Sequence, residues 1–112
     1  ATVKMADEIL EIIRTFDPNI DLKYNKFYIG LANNGQPNNF AIFRAQKTHL
    51  RLELRIQQSD EFEEKLEETG LDVLDYDKRW GKYRIRLKKV DIKKHSEFLS
   101  ESLKMAYDGS NN

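Results

Sequence analysis

The chain has 112 residues, 39% of them apolar and 34% charged, enough for one domain with a single modest core and too apolar for a disordered segment. Its 19 basic and 19 acidic residues cancel, which excludes global attraction to a polyanion and leaves only local segregation of charge to steer a partner. Cysteine is absent, so disulfides and thiolate metal centres are excluded.

The first predicted element is a helix over residues 3–16. Met5, Ile9, Ile12, Ile13 and Phe16 recur at helical spacing, with Asp7, Glu8, Glu11 and Arg14 off that stripe. "DPN" at 17–19 ends it, because proline disfavours a helical residue before it. "KYNKFYIGLA", 23–32, has strand spacing, with Phe27, Ile29 and Leu31 predicted inside and Lys26 and Tyr28 outside. "NNGQPNN", 33–39, is dense in turn formers and reads as a loop. "FAIFRAQ", 40–46, is a second strand whose inward face its own pattern leaves open, and "HLRLELRI" is a third after a short link. Consecutive strands with short links make an antiparallel meander.

"SDEFEEKLEETG", 59–70, predicts a helix with Ser59 or Asp60 at its start, Phe62 and Leu66 on the buried stripe and Gly70 as a left-handed cap. "LDVLDYDKRWGK" dips inward at Leu71 and Val73 and then bends. "GKYRIRLKK", 81–89, alternates again, with Tyr83, Ile85 and Leu87 inward. A last helix is expected from an Asp91 cap to about Tyr107. The order predicts one α+β domain over residues 1–108: a two-layer sandwich, mainly an antiparallel sheet of four to five strands with three helices packed on one face. Residues 109–112 are expected to form a flexible tail.

The blocks "KFYIGLA", "LRLELRI", "RWGKYRIRL" and "LKMAYD" resemble, in order, those of a small uncharacterised bacterial domain. That domain is often found at the C-terminus of proteins labelled predicted transport proteins, some with an N-terminal nuclease-like region. The resemblance covers about residues 23–108 and implies no activity and no functional residue. A looser likeness is to the MmcQ/YjbR-like double-wing domains, for which DNA binding has been suggested. Their lysine-proline step after the central strand is replaced here by "IQQSD".

The same alternation that buries leucines sends Arg51, Arg55, Arg84, Arg86 and Lys88 to the other side, interrupted by Glu53. Tyr28 and Lys26 are expected to point the same way. Arginine forks match phosphate geometry and an exposed aromatic ring stacks on bases, so these seven residues are the candidate nucleic-acid-binding set. The plainer reading is a solvated outer face kept soluble by charge. Asp60, Glu61, Glu63, Glu64, Glu67 and Glu68 crowd the predicted middle helix, a solvated face or a docking surface for a basic partner. Asp72, Asp75 and Asp77 read as a polar turn and fit no cation-loop spacing. His49 and His95 are far apart in the chain and form no metal motif. Trp80 and Tyr107 read as packing residues.

No phosphate loop, nucleophile elbow or metal motif occurs, so neither a cofactor nor a catalytic residue is expected. The expectation is a non-catalytic recognition or accessory module binding DNA or RNA. Its alternative is a protein-interaction or homodimerisation domain in which basic sheet meets acidic helix. No apolar run approaches the roughly 20 residues of a membrane span, and "ATVKMADEIL" lacks a signal-peptide hydrophobic region. A cytoplasmic protein without a membrane partner is the expectation, and the start without methionine suggests an excised or processed piece.

Overall fold

The computed structural model describes residues 2–110. Helical apolar spacing winds α1 (Thr2–Arg14), which buries Met5, Ala6, Ile9, Leu10 and Ile13. The chain turns through Pro18 into β1 (Ile20–Tyr24), which pairs with β2 (Ile29–Asn33) as a hairpin. Leu22 stands opposite Leu31 and Tyr24 opposite Ile29. Phe27 lies in the connecting turn and is 75% exposed, contrary to the inward position that alternation back from Ile29 predicts. Alternation holds only while the chain stays extended. Here Asn25 N–H donates to the Tyr28 carbonyl at 2.9 Å, and the turn resets the phase.

The expected loop at 33–39 contains another hairpin. Asn34 and Gly35 take φ of 52° and 82°, the conformation of a tight two-residue turn, and β3 (Gln36–Pro37) pairs back on β2. β4 (Ala41–Ala45) and β5 (Leu50–Arg55) form the next hairpin. α2 (Asp60–Thr69) starts at Ser59, whose hydroxyl accepts the Phe62 N–H at 3.1 Å, and stops at Gly70, whose φ is 71°. β6 (Asp72–Val73) then pairs with β7 (Lys82–Leu87).

The expected last helix is two. α3 (Lys89–Lys94) and α4 (Ser96–Ser110) break at His95. Lys88 holds the cap position predicted for Asp91; the Asp91 carboxylate instead accepts the Lys88 N–H from inside the first turn at 2.7 Å. Gly109 and Ser110, expected in the tail, continue α4, and Asn111 and Asn112 lie outside the described residues.

The molecule is thus a mixed α/β domain on an antiparallel sheet of seven strands, ordered β1-β2-β4-β5-β7-β6 with β3 on β2, and with four helices among the described residues. The counts exceed those expected because β3 and β6 have two residues each, too short to show a period, because the turn before Ile29 splits β1 from β2, and because the last helix breaks at His95. Register does the rest. Leu50, Leu52 and Leu54 face Ala45, Phe43 and Ala41 on one side and Leu87, Ile85 and Tyr83 on the other. All but Ala45 join the core cluster, against which α1 and α4 lie over β4 and β5. Burying each large side chain contributes roughly 1.5–3 kcal/mol, so a one-residue slip that exchanged leucines for arginines is strongly disfavoured.

Candidate functional site

The opposite face of β5 and β7 carries Arg51, Glu53 and Arg55 beside Arg86, Arg84 and Lys82, paired in that order. Ile42 and Arg44 of β4 point the same way. Ile42 and Ala32 are buried yet stand apart from the core cluster, as a floor on this second face requires. Two turns rise around the floor: the β1–β2 turn brings Tyr28, and the β6–β7 turn brings Asp77 and Trp80. Together they enclose a concave basin of about 440 Å³.

Glu53 lies at the centre. It is 3% exposed. Arg44 Nε donates to its Oε2 at 2.8 Å, Arg51 Nε to the same oxygen at 3.0 Å, and Lys82 Nζ lies 3.4 Å from Oε1. Burial pushes the Glu53 carboxyl up, and this is the largest single influence. The Arg44 hydrogen bond and the charges of Arg44, Lys82 and Arg51 together outweigh it and hold the group below the ordinary carboxylate range. What the sequence presents as an interruption in a basic row is therefore its anchor: one carboxylate orients three cations.

The remaining arginines differ in commitment. Arg84 donates to the Asp75 carbonyl at 2.8 and 3.3 Å, and Arg86 lies 3.4 Å from the Asp72 carboxylate. Arg55 is exposed, and its side chain has no hydrogen bond or ion pair among the described residues. Five cations line the basin against two carboxylates, Glu53 and Asp77, in a chain of zero net charge.

Two aromatic rings flank these charges. Trp80 is 59% exposed, held by an Asp77 carboxylate that accepts its backbone N–H at 3.1 Å. Tyr28 lies beneath the Arg44 guanidinium, 5.8 Å from its ring centroid. The close fit there depends on Gly30. A Cβ at Gly30 would stand 2.6 Å from Asn39 Oδ1, an atom that accepts the Leu31 N–H at 2.8 Å, and 3.3 Å from the Tyr28 ring.

The family model described as "Domain of unknown function (DUF5655)" matches residues 1–110. The chain belongs to the DUF5655 family. No curated protein and no solved structure matches it.

In this DUF5655 domain the structure brings Tyr28, Arg51, Arg55 and Arg84 of the expected set to one basin. It separates the other three. Arg86 and Lys88 line a neighbouring pocket of about 250 Å³. Lys88 is past the end of β7, where the chain leaves the sheet for α3, so strand alternation does not place it on the sheet face. Lys26 is exposed in the β1–β2 turn, its ammonium 5.4 Å from the Phe27 ring centroid, and lines neither concavity. Sequence reasoning missed Arg44, because "FAIFRAQ" leaves its inward face open, and Trp80, because it reads as a residue packed in the core or at its rim and not as a binding one. The alternating pattern contained Lys82. Nothing local marks Glu53 as a hub, since its three partners come from three strands.

The three aspartates of "LDVLDYDK" do not converge on a cation: Asp72 meets Arg86, Asp75 offers its carbonyl to Arg84, and Asp77 holds the Trp80 turn. Among the described residues no group of three His, Asp or Glu side chains is placed to hold a metal ion, and no helix is long and apolar enough to cross a membrane.

Proposed function

We propose that this domain binds single-stranded nucleic acid, without catalysis, in the basin on the open face of its sheet. The observation that carries the reading is the excess of cations in one concavity of a neutral chain, flanked by two aromatic rings. Arg55, Arg51, Arg44 and Arg84 would meet backbone phosphates, with the Glu53 hub fixing the direction of two of them. Trp80 and Tyr28 would each offer a ring to a splayed base. Unpaired bases suit this surface better than duplex, because stacking needs an exposed base face and the basin is concave.

Trp80 is the chain's one tryptophan, so its fluorescence reports the basin directly. Mixed-sequence single-stranded DNA and RNA are expected to quench it at about 50 mM salt, with log affinity falling about 0.7 per phosphate engaged for each tenfold rise in salt. Arg55→Glu with Arg84→Glu should abolish the effect. No binding at low salt, or equal binding by that double variant, overturns the reading.

A second reading has its own observation. α2 presents six carboxylates and one lysine, with no ion pair to those carboxylates among the described residues. The basin of one copy would then receive α2 of another. Light scattering without nucleic acid separates the two, because only this arrangement yields a dimer that dissociates as salt rises.

A further inference from the structure

The chain has two histidines, 46 positions apart by their numbers, and both line the pocket beyond the end of β7. His49 and Lys88 continue β5 and β7 one residue past the paired Leu50 and Leu87. α3 then folds back, so that His95 at its end returns to the same concavity with Lys94. Arg86 and Thr48 complete one side. Two carboxylates are also present, and both are engaged: Asp91 accepts the Lys88 N–H at 2.7 Å, and Asp72 lies 3.4 Å from Arg86. Three cations, two imidazoles and the threonines Thr48 and Thr69 line a space of about 250 Å³, large enough for one tetrahedral oxyanion. A metal ion is the poorer occupant, since among the described residues no three His, Asp or Glu groups are placed to hold one.

We infer that this pocket binds a phosphate group through Arg86, Lys88, Lys94, His49 and His95. The group is either a free phosphomonoester or a phosphate of a nucleic-acid strand. Arg86 stands opposite Arg51 in the β5–β7 ladder, so the pocket adjoins the basin, and a strand lying in the basin could end here. The inference does not require that strand.

The two histidine ring signals give a direct readout by nuclear magnetic resonance on the full chain. Inorganic phosphate is expected to shift both together and saturably, beyond chloride at equal ionic strength. Lys88→Glu with Lys94→Glu should weaken the response at least about tenfold. Both lysines are exposed, so this variant keeps its core, which unchanged amide signals of Leu52 and Ile85 would verify. A short oligonucleotide with a 5′-phosphate and the same one with a 5′-hydroxyl distinguish the sources. Equal shifts by both assign a backbone phosphate, and shifts only with the 5′-phosphate or the free ion assign a monoester. If none of the three probes moves both histidines, or the double variant responds like the parent, the inference is overturned. Trp80 fluorescence keeps the two proposals apart. Quenching with silent histidines leaves the basin standing and removes this pocket, and the reverse result does the opposite.

Discussion

Arg44 Nε donates to Glu53 Oε2 at 2.8 Å, diagonally across the β4–β5 ladder in which Arg44 faces Arg51 and Glu53 faces Ile42. That bond joins the two contradictory demands on this surface. A basic face requires arginines side by side, and arginines side by side repel. A buried carboxylate reconciles them by holding two guanidinium groups and an ammonium at fixed positions. Glu53→Gln is therefore expected to act in opposite directions on fold and binding. Stability should fall by about 1–3 kcal/mol in urea denaturation, because three cations lose their counter-charge. Affinity for single-stranded nucleic acid should rise, because the basin gains one net positive charge. A loss of both would show that the carboxylate orients the cations more than it neutralises them.

The same residue sets an acid limit. Its folded titration lies below the ordinary value of 4.5, so the unfolded chain takes up the proton first as pH falls. The stability Glu53 contributes is complete above the unfolded value and is lost as pH drops through the folded one. The difference in unfolding free energy between parent and Glu53→Gln should therefore narrow as pH falls from the unfolded value of 4.5 through the lower folded one. A constant difference across that range would mean that the ion pairs contribute nothing to linkage.

Trp80→Ala separates stacking from folding. The ring is exposed, so the midpoint of denaturation should move little, by less than about 0.5 kcal/mol. Binding of single-stranded oligonucleotides, followed by anisotropy of a labelled strand, should weaken by about 1–3 kcal/mol. Unchanged affinity would remove Trp80 from the surface.

Gly30→Ala tests the close approach beside the basin. The new methyl group must displace Asn39 Oδ1, which is committed to the Leu31 N–H. A cost of about 1–3 kcal/mol is expected in thermal or urea unfolding, since Asn39 cannot withdraw without losing that bond. A neutral result would show that the Asn39 loop moves freely.

Tyr107→Phe probes the join between the chain's ends. Tyr107 of α4 donates to the Asp17 carboxylate at 2.7 Å, 90 residues away in sequence. Asn33 Nδ2 and the Asn19 N–H also donate to that buried carboxylate. The hydrogen bond, with burial behind it, raises the Tyr107 hydroxyl above its ordinary pKa of 10.0. Losing the hydroxyl should cost about 1–3 kcal/mol while the ring's packing on Phe16 and Phe40 persists. Retained stability would locate the join in ring packing alone.

The sequence by itself determined the elements whose period is long enough to read and the ends that single residues define. Leu50 to Ile56 and Tyr83 to Leu87 alternate because each strand has one buried face, and that alternation placed Arg51, Arg55 and Arg84 outside without any knowledge of their neighbours. Ser59 and Gly70 marked α2 for equally local reasons, a hydroxyl acceptor and a tolerated positive φ. Only the tertiary structure decided the rest, because it depends on which strands become neighbours. Pairing β4 and β7 on either side of β5 made Glu53 a hub and brought Arg44 and Lys82 to it. Turn geometry turned Phe27 outward and stood Trp80 at a rim, since periodicity ends where the extended chain ends. The turn of the chain through α3 set His95 on the same pocket as His49, a proximity that no spacing along the chain encodes.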